Sequence, residues 1–289
     1  MINPQTISEQ LIFSTVRFES LSRDGSISTG TAFFFEIEIG QGRSIPLLIT
    51  NKYVVANTHI GSFRLHEGKQ SGDQLIPSGG SVNVRIENLE QLWIPHPSKD
   101  VDLGAMLLGP LFGTAAAQGK AIYYKCANAS FLPTNQDLEN LRAVESILMV
   151  GYPNGLWDTI NNLPLVRRGI TATHPAIDFM GKPVSVIDMA CFPGSSGSPV
   201  LIVDEGSYVN KAGTLVAGAN RLFLLGVLYG GPTITATGDI VITEIPTDKT
   251  AISQTAMMMH LGYIVKAREL VVLGDAVKQH ARKLGEDID

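Results

Sequence analysis

The chain has 289 residues, a formal net charge of −5, 44% hydrophobic and 17% charged residues, 29 glycines and 15 prolines. That length can bury a sizeable interior, and that composition belongs to a folded, turn-rich globular protein rather than a disordered one. No lysine or arginine cluster stands out, which argues against nucleic acid as a partner, and two cysteines, Cys126 and Cys191, cannot build a dense disulfide framework, though one bridge is possible.

In chain order, the start "MINPQTISEQLIF" has neither a basic leader nor a long apolar core. Nowhere do about 18 apolar residues run together, so neither a membrane partner nor a membrane span is expected, and a cytoplasmic location is the default. Residues 11–18, 31–38 and 45–50 read as strands, with the turn-rich "RDGSISTG" between the first two. In "SVNVRIENL" the alternation of Val82, Val84 and Ile86 is that of a half-buried strand. "DLGAMLL", "ESILMVGYP", "LPLVRRGITAT", "PVSVIDMAC", "SPVLIV" and "LFLLGVLYG" continue the series. Many short apolar runs punctuated by turns predict an all-β architecture. Two barrels fit the count: residues 1–115 and 116–265, crossing near 110–135. A terminal helix over 266–289 is expected from the near-helical recurrence of Ala267, Leu270, Val271, Val277, Ala281 and Leu284.

The stretch richest in chemistry is "CFPGSSGSPV", residues 191–200. A serine in a glycine-bounded tight turn can expose its hydroxyl and aim backbone N–H groups at a developing oxyanion. Ser196 is the candidate nucleophile, Gly194 and Ser196 the candidate oxyanion donors, and Gly197 the residue that permits the tight path. Histidines and cysteines lack metal-ligand spacing, and no phosphate-binding glycine motif occurs, so no metal or cofactor is implied.

"GSSGSPV" resembles the nucleophile motif of the trypsin-like serine peptidases, in particular their bacterial branch related to the HtrA peptidases. "LLITNKYVV" resembles that branch's base-bearing strand and turn, and "HPSKDVDLGAML" its aspartate segment; "STGTAFFF", "MVGYPNG" and "RRGITAT" match its pattern in order. The similarity covers about residues 10–235 and implies two six-stranded chymotrypsin-like barrels with a C-terminal helix, acting on a peptide or protein substrate. Carried over position by position, it implies Ser196 as nucleophile, Gly194 as oxyanion glycine and Asp102 as orienting aspartate, with Asp100 the nearby competitor. The pocket wall falls at Ala190 and Cys191, with Tyr229 beside it. Ala190 stands where an acidic residue would select Lys or Arg, so an apolar preference is expected; Asp188 competes if the loop is shifted. The chain beyond residue 235 is too short for the peptide-binding domain that HtrA peptidases append.

One position departs from the pattern: Tyr53 stands where the family places its histidine. A phenol titrates near pH 10 and cannot take a proton at one nitrogen while an aspartate orients a second. Loss of a triad member costs several powers of ten, so hydrolysis is expected to be weak or lost. None of the six histidines is an obvious replacement: His59 is placed about 9 Å further along if the turn is helical, and His260 and His280 fall in the tail. The expectation is therefore a serine endopeptidase lacking its base, or alternatively a pseudoprotease that binds an extended peptide or protein partner in the retained cleft.

Overall fold

A computed structural model of the chain describes residues 1–240 and 251–285. The chain opens with a short helix, α1 (Ile7–Leu11), where a strand was expected from residue 11. The reason is local: Thr6 accepts from the Glu9 N–H while the Glu9 carboxylate accepts from the Thr6 N–H, a capping box that satisfies the first turn.

Eight strands form the first sheet: β1 (Thr15–Ser22), β2 (Ile27–Glu38), β3 (Ser44–Thr50), β4 (Thr58–Ser71), β5 (Gln74–Glu87), β6 (Trp93–Pro95), β7 (Gly104–Leu107) and β8 (Ala121–Tyr123). Their order is β5-β4-β1-β2-β3-β7-β6, with β8 joined to β4, so this sheet draws on the chain as far as Tyr123. Two elements punctuate it, the single turn α2 (Lys52–Val55) and α3 (Gly109–Ala117). The phenylalanine run of β2 is buried on both faces: Ala32 and Phe34 point into one core, Phe33, Phe35 and Ile37 into another. Strand residues alternate sides, so a continuous apolar run here means a strand sandwiched between two cores.

After α4 (Asn135–Asn140) come β9 (Ser146–Gly151), β10 (Leu165–Thr171), β11 (Val184–Asp188) and β12 (Pro199–Asp204). The hairpin β13 (Ser207–Val209) and β14 (Leu215–Ala217), then β15 (Arg221–Gly230), the ribbon β16 (Thr233–Ile240) and β17 (Ala251–Met258), and β18 (Leu261–Lys266) complete the strands. Six of these close into a barrel in the order β10-β11-β18-β15-β12-β9. Its interior is filled by Ile147, Met149, Ile187, Cys191, Val200, Ile202, Leu228 and Ile264. The opposite faces of the same strands, through Val150, Leu201, Leu224, Val227 and Val265, join Phe33, Phe35, Leu47 and Ile49 in one cluster. The two β units therefore share a core along their seam.

The carboxy-terminal helix α5 (Glu269–Lys283) packs on that shared core with Leu270, Leu273, Gly274, Val277 and Ala281 buried. Val271 and Leu284, expected on the buried face, are 54% and 66% exposed. At about 100° per residue the buried stripe runs through 270, 273, 274 and 277, and Val271 falls off it. The last expected helical positions, 286–289, lie outside the described residues. Cys126 and Cys191 are both free, so the possible bridge is not formed. Among the described residues no helix is long and apolar enough to cross a membrane.

His66 on β4 is buried, its ring 4.9 Å from that of Phe13 at 67°. Desolvation, against a smaller opposing pull from the Asn162 backbone, pushes its pKa down to about 4. As pH falls below about 6.5 the unfolded chain binds this proton first, so stability drains away until about pH 4 and then levels off. His66→Phe should remove on the order of 2 kcal/mol of acid destabilisation across that window. Urea midpoints at pH 7 and pH 4.5 measure it; an unchanged difference between them would show that His66 does not titrate on unfolding.

Candidate active site

The nucleophile loop, residues 191–198, is the turn that feeds β12, and the first β unit holds it in place. Thr31 on β2 is the hub. Its N–H donates to the Ser196 carbonyl at 2.8 Å, and its Oγ1 donates to the Gly194 carbonyl at 2.9 Å while accepting the Tyr152 N–H at 3.2 Å. The Thr31 carbonyl in turn accepts Thr50 Oγ1 at 2.6 Å, at the end of β3. Buried hydroxyls on strands otherwise apolar are the signal that could have pointed to Thr31 and Thr50, which sequence reasoning did not single out.

Within the turn from Gly194 to Ser198 three of the five N–H groups are spent. Ser195 donates to the Phe192 carbonyl, Gly197 to the Leu228 carbonyl and Ser198 to the Ser195 carbonyl, at 3.0, 2.8 and 3.0 Å. Among the described residues the N–H groups of Gly194 and Ser196 donate to nothing, and these are the two expected oxyanion donors. Gly194 has φ +84° and Gly197 φ +86°. Both lie in the left-handed region open to glycine, and a Cβ on Gly194 would also sit 2.5 Å from the Tyr152 carbonyl oxygen. Ser196 itself is half-buried, with Ser195 and Ser198 sealed beneath it.

On the facing side, β3 runs into Asn51 and α2, and the loop before β7 brings Asp102 alongside. Asn51 Nδ2 donates to the Asp102 carbonyl at 2.8 Å, and the Tyr53 N–H donates to Asp102 Oδ1 at 3.2 Å. Asp102, not Asp100, is thus the carboxylate at Tyr53. Burial raises its pKa, while the Tyr53 and Lys52 backbone and the Lys52 charge pull it down. Tyr53 exposes about half its surface, yet desolvation and then the Asp102 charge push its pKa up to about 12. The Lys52 Nζ donates to the Ser98 carbonyl at 2.7 Å.

The histidines go elsewhere. His59 lies on β4, beyond a turn whose Asn57 has φ +59°, and lines a hollow of about 640 Å³ with Ser22, Asp24 and Glu90, away from Asp102. His96 faces Glu269 of α5 at 3.4 Å. His260, read as part of a tail, instead sits in the turn before β18 with its ring edge-on to Phe192 at 6.1 Å. It flanks the nucleophile loop at Phe192.

The pocket-wall positions fall together. Cys191 is buried against Gly262 of β18, where a Cβ would come within 2.6 Å of its Sγ. Burial, against a smaller pull from Arg167, pushes this thiol up to about 11, which makes it a wall residue and not a reactive thiolate. Ala190 is half-buried and Asp188, at the end of β11, is exposed. Tyr229 stacks on Tyr263 at 6.2 Å; burial is the main cause of its raised pKa, with Tyr263 and Asp102 adding to it. Arg167 of β10 was not foreseen. Its guanidinium lies 5.0 Å over the Phe192 ring, and its buried Nη1 has no hydrogen-bond partner among the described residues. Arg167 thus sets a cation on Phe192, the residue after Cys191, and the basic pair in "LVRRGIT" was the only sequence signal for it.

A closed six-stranded barrel and a second sheet share one core, and the serine loop of the barrel is held on Thr31 of the sheet, whose carbonyl meets Thr50, next in the chain to the Asn51 that binds Asp102. The fold is chymotrypsin-like. No family model matches the chain, and no curated protein matches it. Among solved structures, the chain is similar to an inactive mutant form of Rv3671c from M. tuberculosis H37Rv, at 14% identity and a TM-score of 0.41, covering 94% of this chain and 92% of that one. It is also similar to the HtrA-type protease AlgW with tripeptide, at 14% identity and a TM-score of 0.47, covering 95% of this chain and 62% of AlgW. Both likenesses concern the fold alone.

Proposed function

We propose that the seam is the site of a serine endopeptidase in which Ser196, with the N–H groups of Gly194 and Ser196, forms the acyl-transfer half, and Tyr53 occupies the place of the base. The observation that carries this reading is that, in the turn from Gly194 to Ser198, those two N–H groups have no acceptor among the described residues while the other three are used. In the family chemistry Ser196 Oγ attacks the peptide carbonyl, its proton passes to a base, and the carbonyl oxygen becomes an oxyanion held by the two N–H donors. Here the proton has no competent acceptor. A phenol with a pKa near 12 stays protonated at neutral pH, so turnover is weak or absent. Asp102, fixed by the Tyr53 N–H, is left without an imidazole to orient.

A second reading has its own support. With the base absent and Tyr229, Tyr263 and Phe179 stacked in a row beside the loop, the cleft can serve to bind an extended peptide without cutting it. Fluorophosphonate labelling of Ser196 separates the two. The chain as it stands should label very slowly, Tyr53→His should label readily, and Ser196→Ala should not label. If Tyr53→His stays inert while remaining folded, the acyl-transfer reading falls and peptide binding stands alone.

A further inference from the structure

A second site lies outside the seam, on the outer face of the first sheet. There β1, β4 and β5 set side chains in register: Glu19 opposite Ser62, Ser62 opposite Arg85, and Arg64 opposite Asn83. The loop after β9 overhangs this face and closes a hollow of about 370 Å³ lined by Arg17, Arg64, Arg85, Trp157 and Asn162 among others. Arg17 is committed to the wall: it pairs with Glu19, donates from Nε to the Gly155 carbonyl at 3.0 Å, and stands 5.6 Å over the Trp157 ring. Arg64 stands 5.1 Å over the same ring. Neither Arg64 nor Arg85 has an ion-pair partner among the described residues. A chain of net charge −5 thus gathers three arginines against one carboxylate around a single hollow.

We infer that this hollow binds an acidic segment of a polypeptide in extended conformation. The spacing argues for a peptide over a compact phosphate. Arg64 and Arg85 are diagonal neighbours on paired strands, about 7 to 8 Å apart, which matches carboxylates two residues apart on an extended chain rising about 3.3 Å per residue. A single phosphate spans much less. The edge is open as well: β5 is the outermost strand of the sheet and pairs only with β4 among the described residues, so a peptide can add to it through its backbone. The hollow is linked to the nucleophile loop through its wall: Arg17 holds the Gly155 carbonyl, and Asn154 beside it donates its N–H to the Pro193 carbonyl at 2.6 Å.

Trp157 provides the readout, since the chain has only two tryptophans and Trp93 is buried. Titrating the chain with a short peptide carrying glutamates at alternate positions should give a saturable fluorescence change that weakens with added salt. The glutamine counterpart should give little. Arg64→Gln/Arg85→Gln should bind about tenfold more weakly, as loss of two exposed charge pairs implies; if that variant does not fold, Arg85→Gln alone should weaken binding by a few-fold. No saturable change, or equal binding by the double variant, overturns the assignment. So does tripolyphosphate binding tighter than the peptide, which would make the hollow a phosphate site. Because the signal comes from Trp157 in the unaltered chain, it succeeds or fails independently of Ser196 labelling.

Discussion

Tyr53→His should raise the rate of Ser196 acylation by about 10² to 10⁴-fold, the usual contribution of a positioned general base. The backbone is already arranged for it: the N–H of residue 53 is held on Asp102 Oδ1, so an imidazole there starts beside a half-buried carboxylate able to accept its Nδ1 proton. The gain should depend on that carboxylate. Tyr53→His/Asp102→Asn should lose most of it, because the amide would favour the wrong tautomer. The pH profile gives a second, sharper criterion. In the histidine variant, labelling should rise through about pH 6.5 as the imidazole loses its proton. In the unaltered chain it should stay flat from pH 7 to pH 10, because a phenol with a pKa of about 12 is only about one part in a hundred ionised at pH 10. A clear rise between pH 8 and 10 in the unaltered chain would mean that Tyr53 itself takes the proton, and the account of a missing base would be wrong.

How much of this was legible in the sequence depends on whether the signal was local. The strand β2 could be read from its apolar run, and the nucleophile turn from its glycines, because both are dictated by neighbours in the chain. The start of the chain was misread because apolar Ile7 and Leu11 suit either state; the Thr6–Glu9 capping box, visible in the sequence but not used, decides for a helix. On α5 Leu270, Val277 and Ala281 were placed correctly but Val271 and Leu284 fall on the exposed side, because near-helical spacing does not show the partner a helix will meet, here Ile37 of β2 beside Gly274. Thr31 was passed over for a similar reason. A threonine in a strand says nothing of the Gly194 carbonyl it will meet 163 positions away. Arg167 and His260 reach Phe192 only once the barrel closes. The diagonal placing of Arg64 and Arg85 depends on the β4–β5 register, set by a hairpin containing an irregularity between His66 and Gly68. The candidate nucleophile and aspartate segments were legible as motifs; the residues that hold them were not.

Gly197→Ala should lower stability by about 3 kcal/mol or more, and the physical cause can be divided. Two costs act at this residue. One is conformational: at φ +86° an L side chain pays about 1 to 2 kcal/mol. The other is steric, because a Cβ at Gly197 would be driven into the Thr31 carbonyl oxygen and Thr50 Oγ1, and forcing atoms into a packed interior costs typically about 1 to 3 kcal/mol more. Gly213 supplies the control, with φ +82° and nothing within 4 Å of where its Cβ would lie. Gly213→Ala should show the conformational cost alone. In thermal unfolding the first variant should lose roughly 6 to 12 °C and the second about half of that or less, at the few degrees per kcal/mol usual for chains of this order of length. Function should separate them further. Built into the Tyr53→His background, Gly197→Ala should abolish Ser196 labelling, because the residue pushed aside, Thr31, is the one whose N–H and Oγ1 hold the Ser196 and Gly194 carbonyls, and with them the two free N–H donors. Gly213→Ala should label like its parent. Equal losses in the two variants would mean that the nucleophile loop is not pressed against Thr31 at all, and that something other than the seam sets the direction of its N–H groups.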